Sequence, residues 1–165
     1  MLLIIDAKTR MLWLFCSSTK RVPLTTLHYF FQILHKEQKT PKTIRVVEDG
    51  ALARNFEFTK ILIQQNLTMD TTGGYASFLN GKVERPHRTI ADMTRALYFN
   101  AGHSPDKWCF AAETAADIYR FTLHSALGIS PYEAWYGTKP SIHHLRVWGC
   151  TIYVLVPEPT KLSTH

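Results

Sequence analysis

The sequence predicts one α/β domain, a mixed sheet flanked by helices. Short strand-like apolar runs alternate with amphipathic helical stretches, which is the pattern of a sheet covered by helices rather than of a bundle or a sandwich. At 165 residues with 45% hydrophobic composition, the chain is long enough to bury one good core and too short to suggest two independent ones. Neither a repeat nor a low-complexity linker divides it.

Leu2 to Ile5 and Met11 to Phe15 are apolar runs separated by Asp6-Ala7-Lys8-Thr9-Arg10, the arrangement of a hairpin with a polar turn. Leu24 to Lys36 places Leu27, Phe30, Phe31 and Leu34 at i, i+3, i+4, i+7 and so reads as an amphipathic helix. A strand over Ile44 to Val47, a helix over Phe56 to Gln65 and a strand over Leu67 to Thr71 follow. Thr72 to Ser77 contains Gly73 and Gly74 and has no period, which predicts a mobile loop.

A long helix then starts after Asn80, a good cap, with Pro86 expected near its first turn, where a missing N–H costs least. Ser104-Pro105 and Ser130-Pro131 mark two more helix starts, and Glu133 completes capping-box spacing with Ser130. Arg146 to Val156, rich in β-branched and aromatic residues and stopped by Pro157, reads as a closing strand. The domain is thus expected over residues 1–156, with a tail over 157–165.

Lys and Arg number 19 against 13 Asp and Glu, a net charge of +6 that suits a polyanionic partner without proving one. The apolar start Met1 to Ile5 is broken by Asp6, Lys8 and Arg10 too early for a signal sequence, and no run reaches the length of a membrane span. Cys16, Cys109 and Cys150 are odd in number and far apart, so they define neither a disulfide framework nor a zinc ribbon, and a reducing compartment fits them best. Asn66-Leu67-Thr68 is a glycosylation sequon with no secretory context to give it meaning.

Asp6 ends the first strand and Glu84 opens the long helix, where the helix N-terminus favours an anion. Taken singly, each has a plain structural role, as a turn aspartate and a first-turn glutamate. Taken together, two carboxylates repel unless a divalent cation neutralises them, and Mg²⁺ selects hard oxygen ligands. Arg88 and Arg95 fall within roughly 40° of Glu84 around the helix, on a stripe separate from Val83, Ile90 and Leu97. Lys82, Arg85, His87 and Arg88 surround Glu84 and are the candidate DNA-phosphate contacts, with Arg95 farther along. A solvated face held by a Glu84–Arg88 pair is the alternative. His143-His144 lacks partners at zinc spacing and reads as an exposed loop pair, whereas Trp108, Trp135 and Trp148 lie in apolar patterns and read as core.

From Leu2 to Val156 the chain resembles the integrase catalytic core of Copia-type long-terminal-repeat retrotransposons. The resemblance rests on Ile4-Ile5-Asp6 with Arg10, on the stretch from Thr71 through Asn80-Gly81-Lys82-Val83-Glu84-Arg85, on Pro131 to Gly137 with Lys139-Pro140, and on Leu145-Arg146-Val147-Trp148-Gly149-Cys150. It implies an RNase H-like mixed sheet flanked by helices. It also implies an Asp, Asp, Glu triad that binds Mg²⁺ or Mn²⁺, trims the 3′ ends of element cDNA and joins them to target DNA. Asp6 matches the first acid and Glu84 the third, while Val47 stands where the second acid belongs.

Glu48 and Asp49 are the substitutes at hand. Strand alternation turns Glu48 to the other face, and Asp49 recovers the face about 6.6 Å farther along, a long way against Mg²⁺–oxygen bonds of about 2.0–2.1 Å. A one-residue shift in the alignment would instead put Glu48 in the second position. The resemblance further implies a segment of a larger polyprotein, DNA as partner, nuclear action without a targeting signal in this sequence, and association with further copies. Three functions follow: an integrase core impaired at its second acid, an inactive remnant that at most binds DNA or self-associates, and an RNase H-like nuclease acting on RNA–DNA hybrids.

Overall fold

The computed structural model describes residues 1–17, 24–47, 52–72, 81–102 and 104–154. Strand β1 (Leu2–Ile5) pairs antiparallel with β2 (Leu12–Phe15), with Leu2 opposite Phe15 and Ile5 opposite Leu12. Side chains alternate across a strand, and here both faces are apolar. Leu2, Ile4, Trp13 and Phe15 pack into one core, and Leu3, Ile5, Leu12 and Leu14 into another. The hairpin is therefore a layer between two sets of elements rather than a sheet with a wet face.

On the first side lies helix α1 (Leu24–Lys36), whose buried residues are Leu27, Phe30, Phe31 and Leu34, as the periodicity predicts. Helix α2 (Phe56–Gln64) adds Phe58, Ile61 and Leu62. Its N-cap is Asn55, whose side-chain oxygen accepts from the Phe58 amide at 2.9 Å. It stops where Asn66 takes a left-handed conformation, φ 55°, which Asn tolerates better than most residues; this is a structural use for the sequon asparagine. Helix α2 is the crossover between β3 (Thr43–Val47) and β4 (Thr68–Thr72), which pair in parallel with Thr43 opposite Thr68 and Val47 opposite Thr72.

On the second side α3 (Gly81–Ala101) packs along α4 (Trp108–Phe121). Ala111, Ala112, Ala115 and Ala116 are the buried residues of α4, so the helix can approach its neighbours closely. Leu12 and Ile90, both 0% exposed, meet Ala115 and Ala116 in the second core. A disulfide joins Cys16, just past β2, to Cys109 in the first turn of α4, a pairing that their separation in sequence conceals.

Several expectations need correction. Among the described residues the strands form two separate pairs instead of one sheet, although Ile4 of β1 and Val46 of β3 share a core. Residues 146–154 form no strand, and Ile152, Tyr153 and Val154 are exposed, Tyr153 by 93%; strand propensity is realised only when an edge is present to pair with. Pro86 lies six residues into α3, buried, rather than in its first turn, which removes the amide that would bond the Lys82 carbonyl. Val83, 38% exposed, is at the margin of the core stripe, and Trp108, 40% exposed, is not core. Ser104-Pro105 opens a 3-10 turn over Pro105–Lys107 that leads into α4. Thr72, the first residue of the loop expected over 72–77, instead ends β4, and the rest of that loop, the Asn80 cap and the tail at 157–165 lie outside the described residues.

Helix α5 (Pro131–Tyr136) begins as predicted, with Ser130 Oγ accepting from the Glu133 amide at 3.1 Å, and ends at Gly137, φ 76°. Its aromatic end ties the far part of the chain to α1. The Trp135 ring stands edge-on to Trp13 with centroids 4.9 Å apart. The Trp135 indole Nε1 and the Tyr136 hydroxyl donate to the two oxygens of Glu37 at 2.8 and 2.7 Å. Desolvation of the Tyr136 hydroxyl and its bond to Glu37 push its pKa up to about 12.

Replacing Glu37 by Ala is predicted to cost about 1.5–3 kcal/mol, the range for hydrogen bonds to a charged group, measured by thermal or denaturant unfolding. Because the folded pKa of Tyr136 is raised above its ordinary value, the protonated phenol's contribution is complete below pH 10 and lost as pH rises towards about 12. Ultraviolet titration of the parent chain should show Tyr136 titrating late, beside Tyr119, which burial also raises, and Glu37→Ala should return Tyr136 alone towards the ordinary range.

Candidate functional site

The hairpin turn explains both the position and the orientation of Asp6. The Asp6 amide donates to the Met11 carbonyl at 2.8 Å, and the Arg10 amide donates to the Asp6 carbonyl at 3.0 Å, with Arg10 left-handed at φ 62°. Within this turn Asp6 Oδ2 accepts three bonds, from the Lys8 amide at 3.1 Å, the Thr9 amide at 2.6 Å and the Thr9 hydroxyl at 2.7 Å. One oxygen is thereby saturated by the turn. Among the described residues Oδ1 carries no hydrogen bond, so a single hard oxygen remains available on a carboxylate of fixed orientation.

Glu84 lies in the first turn of α3, exposed, and among the described residues it makes no ion pair. The Glu84–Arg88 bridge of the solvated-face alternative is not formed among the described residues. Arg95, on the same stripe, is instead engaged with Asp92 at 3.1 Å, both side chains more than half exposed. An exposed pair of this kind contributes little to stability. Lys82, Arg85, His87 and Arg88 are all exposed, and none is held in an ion pair among the described residues. Four cationic or protonatable groups are thus presented over two turns of helix beside an acid that forms no ion pair among the described residues.

Helix α3 packs against β1, and Asp6 lines the same cavity as Lys82 and Val83, the residues just before Glu84. This cavity, about 730 Å³, opens between the β1–β2 hairpin and the β3–β4 pair, with Ile5, Arg45 and Asp70 also in its wall. The end of the hairpin and the start of α3 therefore border one cavity. Val47 closes β3 opposite Thr72, and a valine carries no oxygen to offer a cation. Glu48 and Asp49, the substitute candidates, lie outside the described residues.

Asp70 is an acid in the cavity wall that the sequence reading missed. It faces Arg45 across the β3–β4 register and accepts from Arg45 Nε at 2.8 Å. The signal was present in the parallel spacing of the two strands, but only the register shows which residues meet. The bridge gives this carboxylate a partner of its own. Within the described residues, the one group of three with metal-ligand types close together is Cys16, Cys109 and Glu113, away from this corner and containing the disulfide. His143 and His144 are exposed, with His143 Nδ1 2.5 Å from the Ser141 hydroxyl. No described helix is long and apolar enough to cross a membrane.

No family model matches the chain. It is 26% identical over 163 residues, 96% of its length, to the retrovirus-related Pol polyprotein from transposon TNT 1-94 of Nicotiana tabacum. It is 25% identical over 153 residues to the corresponding polyprotein of transposon RE2 of Arabidopsis thaliana. The chain spans only 12% and 10% of these relatives. Its fold is similar to the HTLV-2 integrase catalytic core domain solved in complex with magnesium, with TM-score 0.62, 16% identity and coverage of 80% of this chain and 81% of that one. A simian T-cell lymphotropic virus intasome, solved in complex with a PP2A regulatory subunit, contains a chain that matches 99% of this one and is itself covered over 52% of its length, at TM-score 0.67 and 12% identity. The relatives it matches are thus transposon Pol polyproteins, and its α/β fold is similar to that of retroviral integrase catalytic cores.

The turn geometry separates two roles of Asp6. Asp6→Ala removes all three accepted bonds and is predicted to cost about 1–3 kcal/mol in unfolding experiments without DNA or metal. Asp6→Asn keeps an acceptor oxygen for the turn and should retain most of that stability, which makes it the cleaner probe of the carboxylate's charge.

Proposed function

We propose that this domain, residues 1–156, is an integrase-type core with an RNase H-like arrangement that engages DNA, and that its phosphodiester chemistry is impaired at the second acidic position. The observation that carries the reading is that the Asp6 hairpin end and the start of α3 border one cavity, with Glu84 in that first turn among basic side chains that form no ion pair among the described residues. The likeness to integrase cores, one of them solved with magnesium, supports it.

The residues suit a divalent cation in part. Asp6 has one carboxylate oxygen outside its turn bonds, and Glu84 has a carboxylate without a counter-ion among the described residues. Both are hard oxygen donors that would repel each other at close range. In this reading Asp6 and Glu84 hold Mg²⁺ or Mn²⁺, while Val47 withdraws the third protein ligand and Asp49, or Glu48 under a one-residue shift, is a weak substitute. The metal, when bound, would activate an attacking oxygen and offset charge on the leaving oxygen of a phosphodiester.

The chain's own contribution is positioning. Asp6 is oriented by Thr9 and the Lys8 amide, and Glu84 is carried on a helix start whose dipole favours its negative charge. Lys82, Arg85, His87 and Arg88 would neutralise backbone phosphates and set the register of a DNA end without reading its sequence, with Arg95 extending the track once released from Asp92. Nuclear action and assembly with further copies complete the proposal. A second reading, an inactive remnant that retains only DNA binding or self-association, is favoured specifically by Val47.

Metal-dependent processing and joining of a labelled DNA end tests the chemistry. Low activity in the parent, a gain of tenfold or more in Val47→Asp, and loss of that gain on adding Asp6→Asn or Glu84→Gln are expected. Parent activity indifferent to Asp6→Asn and Glu84→Gln would contradict the assignment, and no gain in a folded Val47→Asp chain would favour the remnant. Preference for an RNA–DNA hybrid over duplex DNA would favour the nuclease. Separately, Lys82→Ala, Arg85→Ala and Arg88→Ala should each weaken binding to unrelated DNA sequences by a similar factor. Each should also reduce the slope of log affinity against log salt by about 1.

A further inference from the structure

We propose that Cys16 and Cys109 form a reversible redox staple that locks the hairpin carrying Asp6 to the helix pair carrying Glu84. The two cysteines stand 93 residues apart in sequence, yet their Cα atoms are 6.1 Å apart and their sulfurs are bonded. Cys16 follows β2, and Cys109 lies in the first turn of α4. The bridge crosses the contact between β2 and α4, and α4 in turn packs on α3. The apolar core of this contact is small: Leu12, Ile90 and two alanines are its buried residues. Leu3, Ile5, Leu14, Met93, Leu97 and Tyr119 pack around them only partly buried, and alanines contribute little buried area per residue, so a covalent tie adds to the hold of hairpin on helices. Its significance for the two acids rests on the function proposed above; its existence and reversibility do not.

Both redox states are accommodated in place. Each cysteine is only partly buried, so a small thiol or disulfide can reach it. When the bond is open, the Cys16 thiol has an acceptor at hand in the Cys109 carbonyl, 3.8 Å away. Oxidation proceeds by exchange with a small-molecule disulfide of the glutathione class. A Cys thiolate attacks one sulfur of that disulfide and releases the first small thiol. The second Cys thiolate then attacks the mixed disulfide, closing the Cys16–Cys109 bond and releasing the second small thiol. Two protein thiols lose two electrons, the small disulfide gains them, and the two protons end on the two released thiols. Reduction is the reverse. Cys150 is exposed and free and takes no part.

The test combines mass-tagging of thiols with thermal unfolding of the whole chain after equilibration in oxidised or reduced glutathione. One tag in the oxidised chain, mapped to Cys150, and three in the reduced chain are expected, with a melting temperature about 5–15 °C higher in the oxidised form. Cys16→Ser and Cys109→Ser should each abolish the redox dependence of melting, while Cys150→Ser should keep it. If a serine variant does not fold, the comparison of the two states of the parent decides alone. Tagging of Cys16 and Cys109 after oxidation, or identical melting in both states, would overturn the proposal. So would one-to-one uptake of Zn²⁺ by the reduced chain that blocks cystine formation, since Cys16, Cys109 and Glu113 would then be a metal site. None of these readouts depends on DNA processing, so failure of the staple and failure of the integrase reading are distinguishable.

Discussion

The structure depends on a hairpin that is apolar on both faces. Four-residue strands with alternate side chains buried on opposite sides cannot serve as a surface sheet. They must be covered by α1, α2 and β3 on one side and by α3 and α4 on the other. That constraint places the turn after β1 at the rim where the two layers meet. Asp6 is the first residue past the apolar run, so the same alternation that builds the core delivers its carboxylate to the edge.

The two layers differ in quality. The core beneath α1 and α2 contains Phe30, Phe31, Phe58, Trp13 and several leucines, each burial contributing on the order of 1.5–3 kcal/mol. The core beneath α3 and α4 is smaller and rich in alanine. Asp6 belongs to the hairpin shared by both layers, whereas Glu84 rides on the less heavily packed one. The geometry of a site built from these two residues therefore depends on the weaker contact, and the disulfide crosses that contact. Pro86 adds to this by loosening the first turns of α3, since the helix there lacks one of its amide bonds.

Local sequence signals were reliable where the deciding physics is local. The periodicity of α1, the Ser130 cap of α5, and the polar turn between β1 and β2 all read correctly because propensity, capping and patterning act within a few residues. Signals that depend on distant partners failed. Residues 146–154 have strand composition, but pairing requires an edge that composition does not supply. The Cys16–Cys109 bond, the Arg45–Asp70 bridge and the Glu37 contacts with Trp135 and Tyr136 join residues that only the fold brings together. For the site, Asp6 and Glu84 were legible as a strand end and a helix start. That Asp6 spends one oxygen on its own turn, and that Arg95 turns to Asp92, were not.

The central claim is that the hairpin end and the start of α3 form one corner able to hold a cation. Titration of Mn²⁺ into isotopically labelled protein tests it directly, because a bound paramagnetic ion broadens nearby amide signals in nuclear magnetic resonance. The account predicts that amides of residues 6–9 and 82–85 broaden together over the same concentration range, and that Asp6→Asn or Glu84→Gln relieves both sets. Broadening of one set without the other, or broadening that neither substitution relieves, would contradict it.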